Sequence, residues 1–443
     1  MHVAPTGNDL SDGSTPENPV ASIQLAIERA QTCEPEPCIV RLAGGDYREQ
    51  VWLVGGVELR GSYDSAFDQR DPEQWPTTVT SDEPRTVIAD GLEAAVTLDG
   101  VSVRGADLGP SLAGQSTTAV WVRDSADWLR IINATVSGGV AVDGIDGAPG
   151  EPGECDAAGG LGGASFDCGS NGGGEGSADG DAMLGGDGGP GGGSNCPNAC
   201  PLVGSDGISD GQPGVSGERG SDGQSGVAAT DSKGRFVADA WIGGTGTGGE
   251  RGYNGTGGGG GGSGGSKRFR ACFGCGTLYG GRGGDGGDGG CGGEGGQPGT
   301  PGGSSFGLVV IASTVALHNV EVSGGEGGRG GRGGDGAPGT DGGTDGTVGM
   351  EGRPGQQCGA INYSAGGGGI GGIGGDGGHG GGGAGGVGGV SAAVVLVRAG
   401  EIALGDEVVY SAGDPGRGGF GGQGGIVNGE NGLEGQAAEV MSF

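Results

Sequence analysis

Apolar positions in the first 139 residues repeat with two different periods. Ile23, Ala26, Ile27 and Ala30 recur at helical spacing, which predicts one short amphipathic helix over residues 22–31. After it, short runs place apolar residues at alternating positions, as half-buried strands require. The alternating runs cover 51–53, 57–59, 96–98 and 101–103, and a further strand-like run covers 39–42. Glycine pairs and Asp-Gly steps between them predict tight turns, so this pattern fits either a β-solenoid or a β-sandwich.

An internal repeat decides between these two folds. Residues 118–139 recur as 305–325 and, more loosely, as 392–413, and each copy is about 22 residues long. This is the length of one solenoid coil. Each copy contains two alternating runs and ends on a glycine, after which a glycine-rich tract begins. The repeat therefore predicts stacked coils, with long insertions that leave at one equivalent corner.

The N-terminal residues carry a family resemblance. Residues 3–30 read VAPTGNDLSDGSTPENPVASIQLAIERA, and residues 38–67 read CIVRLAGGDYREQVWLVGGVELRGSYDSAF. They resemble the N-terminal cap and first coils of right-handed parallel β-helix proteins of the pectin-lyase type. In that family an amphipathic helix closes the end of the solenoid, which implies that Ile23 and Ile27 cover the first coil. The family contains enzymes and inert surface proteins, so the resemblance implies a fold without deciding function.

The expected fold is thus all-β: a right-handed parallel β-helix with an N-terminal capping helix and glycine-rich, polyproline-II-like or polyglycine-II-like excursions. The expected segments are the cap and first coils (1–139), an excursion (140–304), a coil (305–325), a second excursion (326–391), a third coil (392–413) and a glycine-rich C-terminal segment (414–443).

The glycine-rich tracts have a period of three. Glycine accounts for 125 of the 443 residues, and in 324–335 it fills two of every three positions. Three residues per turn is the period of polyproline II. One interpretation is a flexible spacer, because such a composition buries little apolar surface. The sustained phase favours a bundle in which glycine lets neighbouring backbones bond to one another. A collagen triple helix would suit the Gly-X-Y portion only, because the phase slips near Gly342 and Gly343 and proline is sparse.

Charge excludes two classes of partner. The chain has 55 acidic and 22 basic residues, a formal charge of -33, which repels nucleic acid and anionic lipid. No apolar run approaches the length of a membrane span, so neither nucleic-acid binding nor membrane insertion is expected. The partners that remain are a second copy of the chain or an extracellular polysaccharide or surface ligand.

Ten cysteines predict an oxidising compartment, hence an extracellular or cell-surface location. The N-terminus shows no export signal, so we expect that signal to be missing from this stretch of sequence. The candidates for structural disulfides are Cys33, Cys38, Cys196, Cys200, Cys272 and Cys275. Cys33 and Cys38 flank a short connector and form the clearest pair. The Cys196–Cys200 and Cys272–Cys275 spacings also suit zinc half-sites, although disulfides would better staple loops without a core.

Catalytic motifs of the pectinase type are incomplete. Glycoside cleavage needs two close carboxylates, and the sequence has no Asp-Asp pair and no Arg-Ile-Lys step. Its Gly-His-Gly step places His379 at the variable position of a glycine triplet. Arg41, Arg48 and Arg60 are interpreted as solvated strand and corner residues, with sugar contact as the alternative. We therefore expect no catalytic residue and no cofactor.

Two glycine-aspartate runs, 283–288 and 330–335, resemble the start of the calcium-binding nonapeptide repeat. No nine-residue period follows either run, so solvated triplet positions are favoured over calcium sites. The sequence as a whole predicts a non-enzymatic extracellular or cell-surface structural or interaction protein, such as a scaffold, adhesin or fibre component. The alternative is a carbohydrate-binding or polysaccharide-cleaving β-helix protein.

Overall fold

The computed structural model describes residues 1–31, 37–166, 169–177, 186–194, 208–237, 239–268, 277–344, 346–351, 356–358, 361–363 and 365–443. Strands dominate its regular structure. One α-helix, α1, spans Ile23–Ala30, and a 3-10 turn spans Pro110–Leu112. Within the described ranges, no helix has the length and apolar character needed to cross a membrane.

The strands fall into two sets. The first set forms the large sheet and comprises β1 (His2–Val3), β2 (Cys38–Ala43), β3 (Gly45–Arg48), β4 (Val51–Trp52), β5 (Val57–Tyr63), β6 (Thr77–Thr80), β7 (Arg85–Asp90), β8 (Val96–Asp99), β9 (Ser102–Arg104), β10 (Thr117–Ser137), β17 (Ser305–Ser323), β20 (Ser391–Val397), β21 (Glu401–Leu404), β22 (Val408–Ser411) and β23 (Ala437–Ser442). The second set forms antiparallel pairs and comprises β11 (Ser165–Phe166) with β12 (Gly169–Ser170), β13 (Arg235–Val237) with β14 (Ala240–Ile242), β15 (Lys267–Arg268) with β16 (Thr277–Leu278), and β18 (Gln356–Cys358) with β19 (Ile361–Tyr363).

Parallel pairing closes the large sheet into a β-helix with three sides. One side contains β4, β7, β20 and β23, a second contains β1, β2, β5, β8 and β21, and the third contains β3, β6, β9 and β22. Strands β10 and β17 each run through all three sides. Non-glycine residues with positive φ, such as Asp124 and Asn133 in β10, interrupt these two long strands where they turn from one side to the next. The parallel β-helix fold expected from the sequence is confirmed.

The three repeats stack consecutively, as their similarity predicts. Thr117 of β10 pairs with Ser305 of β17, and Ser305 pairs with Ser391 of β20. Like residues therefore lie above like residues, and the stack of Leu98, Ile131 and Leu317 is almost fully buried. Such stacks form the main apolar core inside the solenoid.

Helix α1 closes the N-terminal end of this core. Its apolar face, Ile23, Ala26, Ile27 and Ala30, is buried, and the helix packs against β1, β2 and β4. The Ser22 hydroxyl accepts a hydrogen bond from the Leu25 N–H, which caps the first turn. The Glu49 carboxylate also accepts from the N–H groups of Ile23 and Gln24, at 2.7 and 3.0 Å. The capping helix is thus fixed to the first coil by packing and by its cap.

Three excursions leave the solenoid at one corner. They follow β10, β17 and β22 and return at β17, β20 and β23. The exits stack, because the Gly138 N–H donates to the Ser323 carbonyl and the Gly324 N–H donates to the Ser411 carbonyl. The segment 414–443 differs from the glycine-rich segment expected there. It ends in β23, which pairs in parallel with β20 and adds a further strand to the first side.

Candidate functional site

Within the described residues, the excursions form ten extended tracts. Numbered along the chain, they are tract 1 (140–163), tract 2 (171–177), tract 3 (186–194), tract 4 (208–227), tract 5 (244–266), tract 6 (279–303), tract 7 (324–351, residue 345 apart), tract 8 (365–390), tract 9 (413–425) and tract 10 (428–436). Each tract bonds to a given neighbour at every third residue. In tract 6, for example, the N–H groups of Gly281, Gly284 and Gly287 donate to carbonyls of residues 366, 369 and 372 in tract 8. These are the bonds expected of packed strands with the three-residue period of polyproline II.

Tract 5 lies at the centre of this bundle, and residues 254–266 are all buried. Successive N–H groups donate in three directions, from Gly258 to tract 6, from Gly259 to tract 4 and from Gly260 to tract 2. A Cβ on these glycines would lie 2.2, 2.0 and 2.2 Å from carbonyl oxygens of tracts 8, 3 and 1. Six neighbouring tracts therefore surround tract 5, and no side chain fits at these positions. Tract 4 lies at the edge of the bundle, so it needs glycine only at the one position in three that faces tract 5.

Aspartates at the variable positions serve the backbone of neighbouring tracts. Asp285, Asp288 and Asp335 belong to the runs that resemble calcium-binding repeats. Their carboxylates accept hydrogen bonds from the N–H groups of Gly162, Gly159 and Gln423, at 2.7, 2.9 and 2.7 Å. In the part of the chain that the structure describes, no group of three or more His, Cys, Asp or Glu side chains could hold a metal ion. These aspartates act as caps for N–H groups that meet no backbone carbonyl.

The basic residues considered for catalysis or sugar contact lie apart from one another. The His379 Nδ1 accepts from the Gly339 N–H at 3.1 Å, within the bundle. Arg48 forms an exposed ion pair with Asp82. Arg60 pairs with Glu58 on its own strand, and the Arg41 guanidinium lies 5.9 Å from the centre of the Tyr63 ring. The structure therefore brings none of these groups together into one constellation.

Among the predicted disulfide cysteines, Cys38 is disulfide-bonded. Cys33, Cys196, Cys200, Cys272 and Cys275 lie outside the described residues, so those pairings stay predictions. Sequence reasoning missed a bridge between Cys155 and Cys291, which are 136 residues apart. It joins tract 1 to tract 6. Both cysteines lie in glycine triplets, but the sequence of neither tract determines the register that brings them together.

A β-hairpin, β13 with β14, fixes the bundle to the outside of the solenoid. Phe236 and Trp241 of this hairpin pack against a second apolar cluster, on the outer face of the first side. The buried members of that cluster include Ile88, Trp121, Phe306, Val309, Ile311 and Val395. The hairpin therefore covers an apolar surface that a solenoid strand would otherwise expose to water.

A cavity of about 210 Å³ remains between the hairpin and the solenoid. Arg85, Trp121 and Trp241 line it together with the polar residues Gln115 and Ser116. The Arg85 guanidinium lies 4.1 Å from the centre of the Trp121 ring, a cation–π geometry. Trp121 is 3% exposed, and its Nε1 has no hydrogen-bond partner among the described residues. Aromatic faces, a cation and small polar groups thus meet in one cavity.

The charged residues around the cavity differ in whether they form ion pairs. The Asp239 carboxylate pairs with Arg398 and, at 2.9 Å, with Arg123, which also binds Asp90 at 2.7 Å. Arg85 has no ion-pair partner among the described residues, although its Nη2 donates to the Asp239 carbonyl at 3.3 Å. Burial and the Arg123 guanidinium lower the pKa of Arg85. The cavity consequently favours a neutral or anionic guest over a cation.

No protein-family model matches the chain, and no curated protein matches it. Among solved structures it is similar to the pectin methylesterase PemA from Erwinia chrysanthemi, at 14% identity over 33% of this chain and 46% of that one, with a TM-score of 0.22. A rice weevil pectin methylesterase is similar at 14% identity over 30% of this chain and 45% of that one, with a TM-score of 0.21. The pectate lyase Pel9A is similar at 13% identity over 32% of this chain and 40% of that one, with a TM-score of 0.17. The chain spans less than half the length of each of these structures. Its own strand pairing defines it as a parallel β-helix protein.

Proposed function

We propose that this chain is a non-enzymatic, extracellular structural and interaction protein, in which the β-helix anchors a rigid glycine bundle. The observation that carries the proposal is the enclosure of tract 5 by six other tracts, at distances that admit no side chain. Interior positions of this kind offer neither a pocket nor a reactive group. Carboxylates at the bundle surface bond the backbone of neighbouring tracts, as those of Asp285 and Asp288 do.

An extracellular location is supported by disulfide bonding. Cys38, Cys155 and Cys291 are all disulfide-bonded. Disulfides persist in oxidising compartments and are rare in reducing ones. The Cys155–Cys291 bridge ties together two tracts that no apolar core holds, so its loss in a reducing compartment would weaken the bundle.

A role in display or adhesion is supported by the direction of the tracts. At about 3.1 Å per residue, tract 5 extends roughly 70 Å. Tracts 1, 4, 5 and 6 each reach the end of the bundle opposite the solenoid exits. Their ends are bonded together, from Gly163 to Gly261, Gly264 to Gly281 and Gly265 to Ser209. The bundle thus holds the outer ends of these tracts at a fixed distance from the solenoid.

The proposal is tested by combining thiol titration with polysaccharide cleavage assays. Titration of the natively isolated chain in denaturant should find no free thiol among the ten cysteines. Incubation with pectin, pectate or alginate should release neither reducing ends nor unsaturated products. Free thiols at most cysteines would contradict the extracellular location. Product release that one point substitution abolishes would contradict the non-enzymatic role.

The cavity beside Trp121 favours a second candidate, a carbohydrate-binding protein. Aromatic faces with a few polar groups suit a sugar ring, and Arg85 would add a contact to a sugar carboxylate. Calorimetric titration with neutral and acidic oligosaccharides should then show binding that Arg85→Ala and Trp241→Ala each weaken. Arg60→Ala is the matched control, because Arg60 lies away from the cavity. Absence of binding by any oligosaccharide would remove this candidate.

A further inference from the structure

Tract 8 changes its pattern along its length. Its outward position is filled by Ile370, Ile373, Asp376 and His379, and then by Gly382, Gly385 and Gly388. A Cβ on these last three glycines would lie 2.2, 2.1 and 1.9 Å from carbonyl oxygens of tract 9. Tracts 9 and 10 therefore cover this side of tract 8 only in the half nearer the solenoid. Beyond them, Ile370 and Ile373 are each 50% exposed.

Backbone bonding changes at the same place. In the covered half, the N–H groups of Gly385 and Gly388 donate to carbonyls of Glu430 and Leu433 in tract 10, both at 2.9 Å. The equivalent N–H groups of Ile370 and Ile373 have no partner among the described residues. The bundle thus has a vacant strand position over the outer half of tract 8.

Side chains mark the boundary between the covered and vacant halves. Tract 7 donates its N–H groups to tract 9 as far as Gly336, which bonds to Gln423. The next two, Gly339 and Gly342, donate instead to His379 Nδ1 at 3.1 Å and Asp376 Oδ1 at 2.9 Å. These two side chains take the place of the missing tract. Past Asp376 the outward position becomes apolar.

The vacant position is an apolar groove. Its floor is Ile370 and Ile373, and exposed Val348 lies on tract 7, one of the two tracts that flank tract 8. Tract 4 bonds to the floor from Gly214 to Ile370 at 2.9 Å, and Gly371 of the floor bonds to Thr347 of tract 7 at 3.2 Å. We call Ile370, Ile373 and Val348 the outer groove. Scattered single apolar residues are common on surfaces, but a line of them above unbonded N–H groups indicates an unfilled contact.

The covered half of the same face carries a ridge. Tracts 9 and 10 stand on tract 8, and the turn between them bears Ile426, which is 82% exposed, and exposed Val427. We call tracts 9 and 10 with this turn the ridge. Ridge and outer groove lie in line along tract 8, so the face has a raised half and a recessed half.

We propose that the outer groove is filled by the ridge of a second copy of this chain. A two-fold axis perpendicular to tract 8 places each ridge in the other copy's groove, which is the self-complementary arrangement of a symmetric dimer. The occupant follows from the continuity of the groove with the position that tracts 9 and 10 fill in the chain itself. Ile426 of one copy then meets Ile370 and Ile373 of the other. This inference rests on the proposed structural role and deepens it by naming the partner.

Net charge sets how the association depends on salt. Each copy has a formal charge of -33, so two copies repel one another. Salt screens this repulsion over about 8 Å at physiological ionic strength and over shorter distances above it. A contact held by apolar side chains and backbone bonds should therefore strengthen as salt is added. A contact held by ion pairs would weaken.

Sedimentation velocity on the full chain tests the proposal. We expect a monomer–dimer equilibrium that shifts to dimer with concentration and with added salt. The double variant Ile370→Asp/Ile373→Asp should weaken it by about tenfold or more, since it introduces charges into a desolvated contact. The control is Leu161→Asp, an exposed leucine on tract 1, which should leave the equilibrium unchanged. A chain that stays monomeric at all concentrations, or a groove variant that matches the control, overturns the proposal.

Cross-linking identifies the contact independently of affinity. An equimolar mixture of an Ile373→Cys variant and an Ile426→Cys variant should form a disulfide-linked heterodimer faster than either variant forms a homodimer. Equal rates would overturn the two-fold arrangement. A monomeric chain whose outer groove instead binds an extended glycine-rich or proline-rich peptide would overturn the second copy as occupant. Thiol titration and polysaccharide assays are unaffected by these outcomes, so a failed dimer does not remove the proposed structural role.

Discussion

The solenoid and the glycine bundle order the same chain in opposite ways. In the solenoid, stacked side chains such as Leu98, Ile131 and Leu317 are removed from water, and backbone bonds join each coil to the next. In the bundle, tract 5 buries no large side chain, and its backbone bonds to neighbours in every direction. The comparison shows that a chain poor in apolar residues can be ordered where nearly every N–H and C=O group finds a partner.

The comparison also shows why the bundle is attached to a solenoid. Ordering one residue costs about 1–2 kcal/mol of backbone entropy, and glycine loses the most. One net hydrogen bond contributes about 0.5–1.5 kcal/mol. These magnitudes are similar, so backbone bonding alone leaves little margin. The solenoid corners, the hairpin packed on Trp121 and the Cys155–Cys291 bridge each reduce the freedom that the bundle must lose.

The largest expected effect comes from placing a side chain inside the bundle. A Cβ on Gly330 would lie 2.0 Å from the Gly386 carbonyl oxygen, so Gly330→Val must separate tracts 7 and 8. We expect a loss of more than about 4 kcal/mol in the stability of the bundle. Hydrogen exchange should show faster exchange in tracts 7 and 8 and unchanged exchange in β10. Arg329→Val, at the neighbouring exposed position, is the control, and equal exchange in both variants would indicate flexible tracts.

A cavity in the solenoid should have a smaller and more uniform effect. Leu308 of β17 is fully buried, and Leu308→Ala should lower the free energy of unfolding by about 3 kcal/mol. Because all three excursions start from solenoid corners, exchange should accelerate in the bundle as well as in the strands. Leu404→Ala is the matched control, since Leu404 is 64% exposed at the open C-terminal end. If hydrogen exchange in the bundle is the same in Leu308→Ala as in wild type, the bundle is stable without support from the solenoid.

The smallest effect concerns a single cap and depends on pH. The Asp222 carboxylate is 6% exposed, and its pKa is lowered. Burial alone would raise this pKa, but the hydrogen bond from the His379 N–H at 2.9 Å and the Arg219 ion pair outweigh it. A lowered pKa means that stabilisation is present above the ordinary carboxyl pKa and is lost as pH falls through the folded value.

The corresponding variant is Asp222→Asn. It should cost about 1 kcal/mol at neutral pH, and the difference from wild type should shrink below about pH 4. Denaturant unfolding at several pH values measures this. Asp68→Asn, at an exposed position in a turn, should have no effect at any pH. A difference from wild type that stays constant down to pH 2 would show that the Asp222 charge contributes nothing.

The local sequence pattern was sufficient to predict the helix and the stacked coils of the solenoid. The helix predicted over 22–31 is observed as α1, with Ser22 and Gln31 as its two caps, because apolar spacing and a capping serine specify both face and start. The repeat also predicted which coils stack. Strand β23 was missed, since Ala437–Ser442 has no clear alternation and follows a glycine tract. Pairing with β20, rather than its own pattern, makes it a strand.

The bundle and the cavity show where sequence reasoning ends. A period of three predicts extended tracts, but tracts built from the same triplets do not reveal their neighbours. The Cys155–Cys291 bridge and the enclosure of tract 5 depend on that missing register. The cavity depends on contacts such as Arg85 with Asp239, which lie 154 residues apart. Two short strands inside a glycine-rich region gave no local signal that they would cover the solenoid.

The three-residue repeat fixes which neighbouring tract each position of a triplet faces. Tract 7 donates to tract 6 from residues 340, 343, 347 and 350, so one extra residue shifts its frame between Gly343 and Thr347. Each residue turns the strand by about 120°, and one inserted residue therefore points every later glycine at a different neighbour. Tract 7 tolerates the shift close to its end. Insertions and deletions elsewhere in these tracts should survive in evolution in multiples of three residues, and in matched pairs across an excursion.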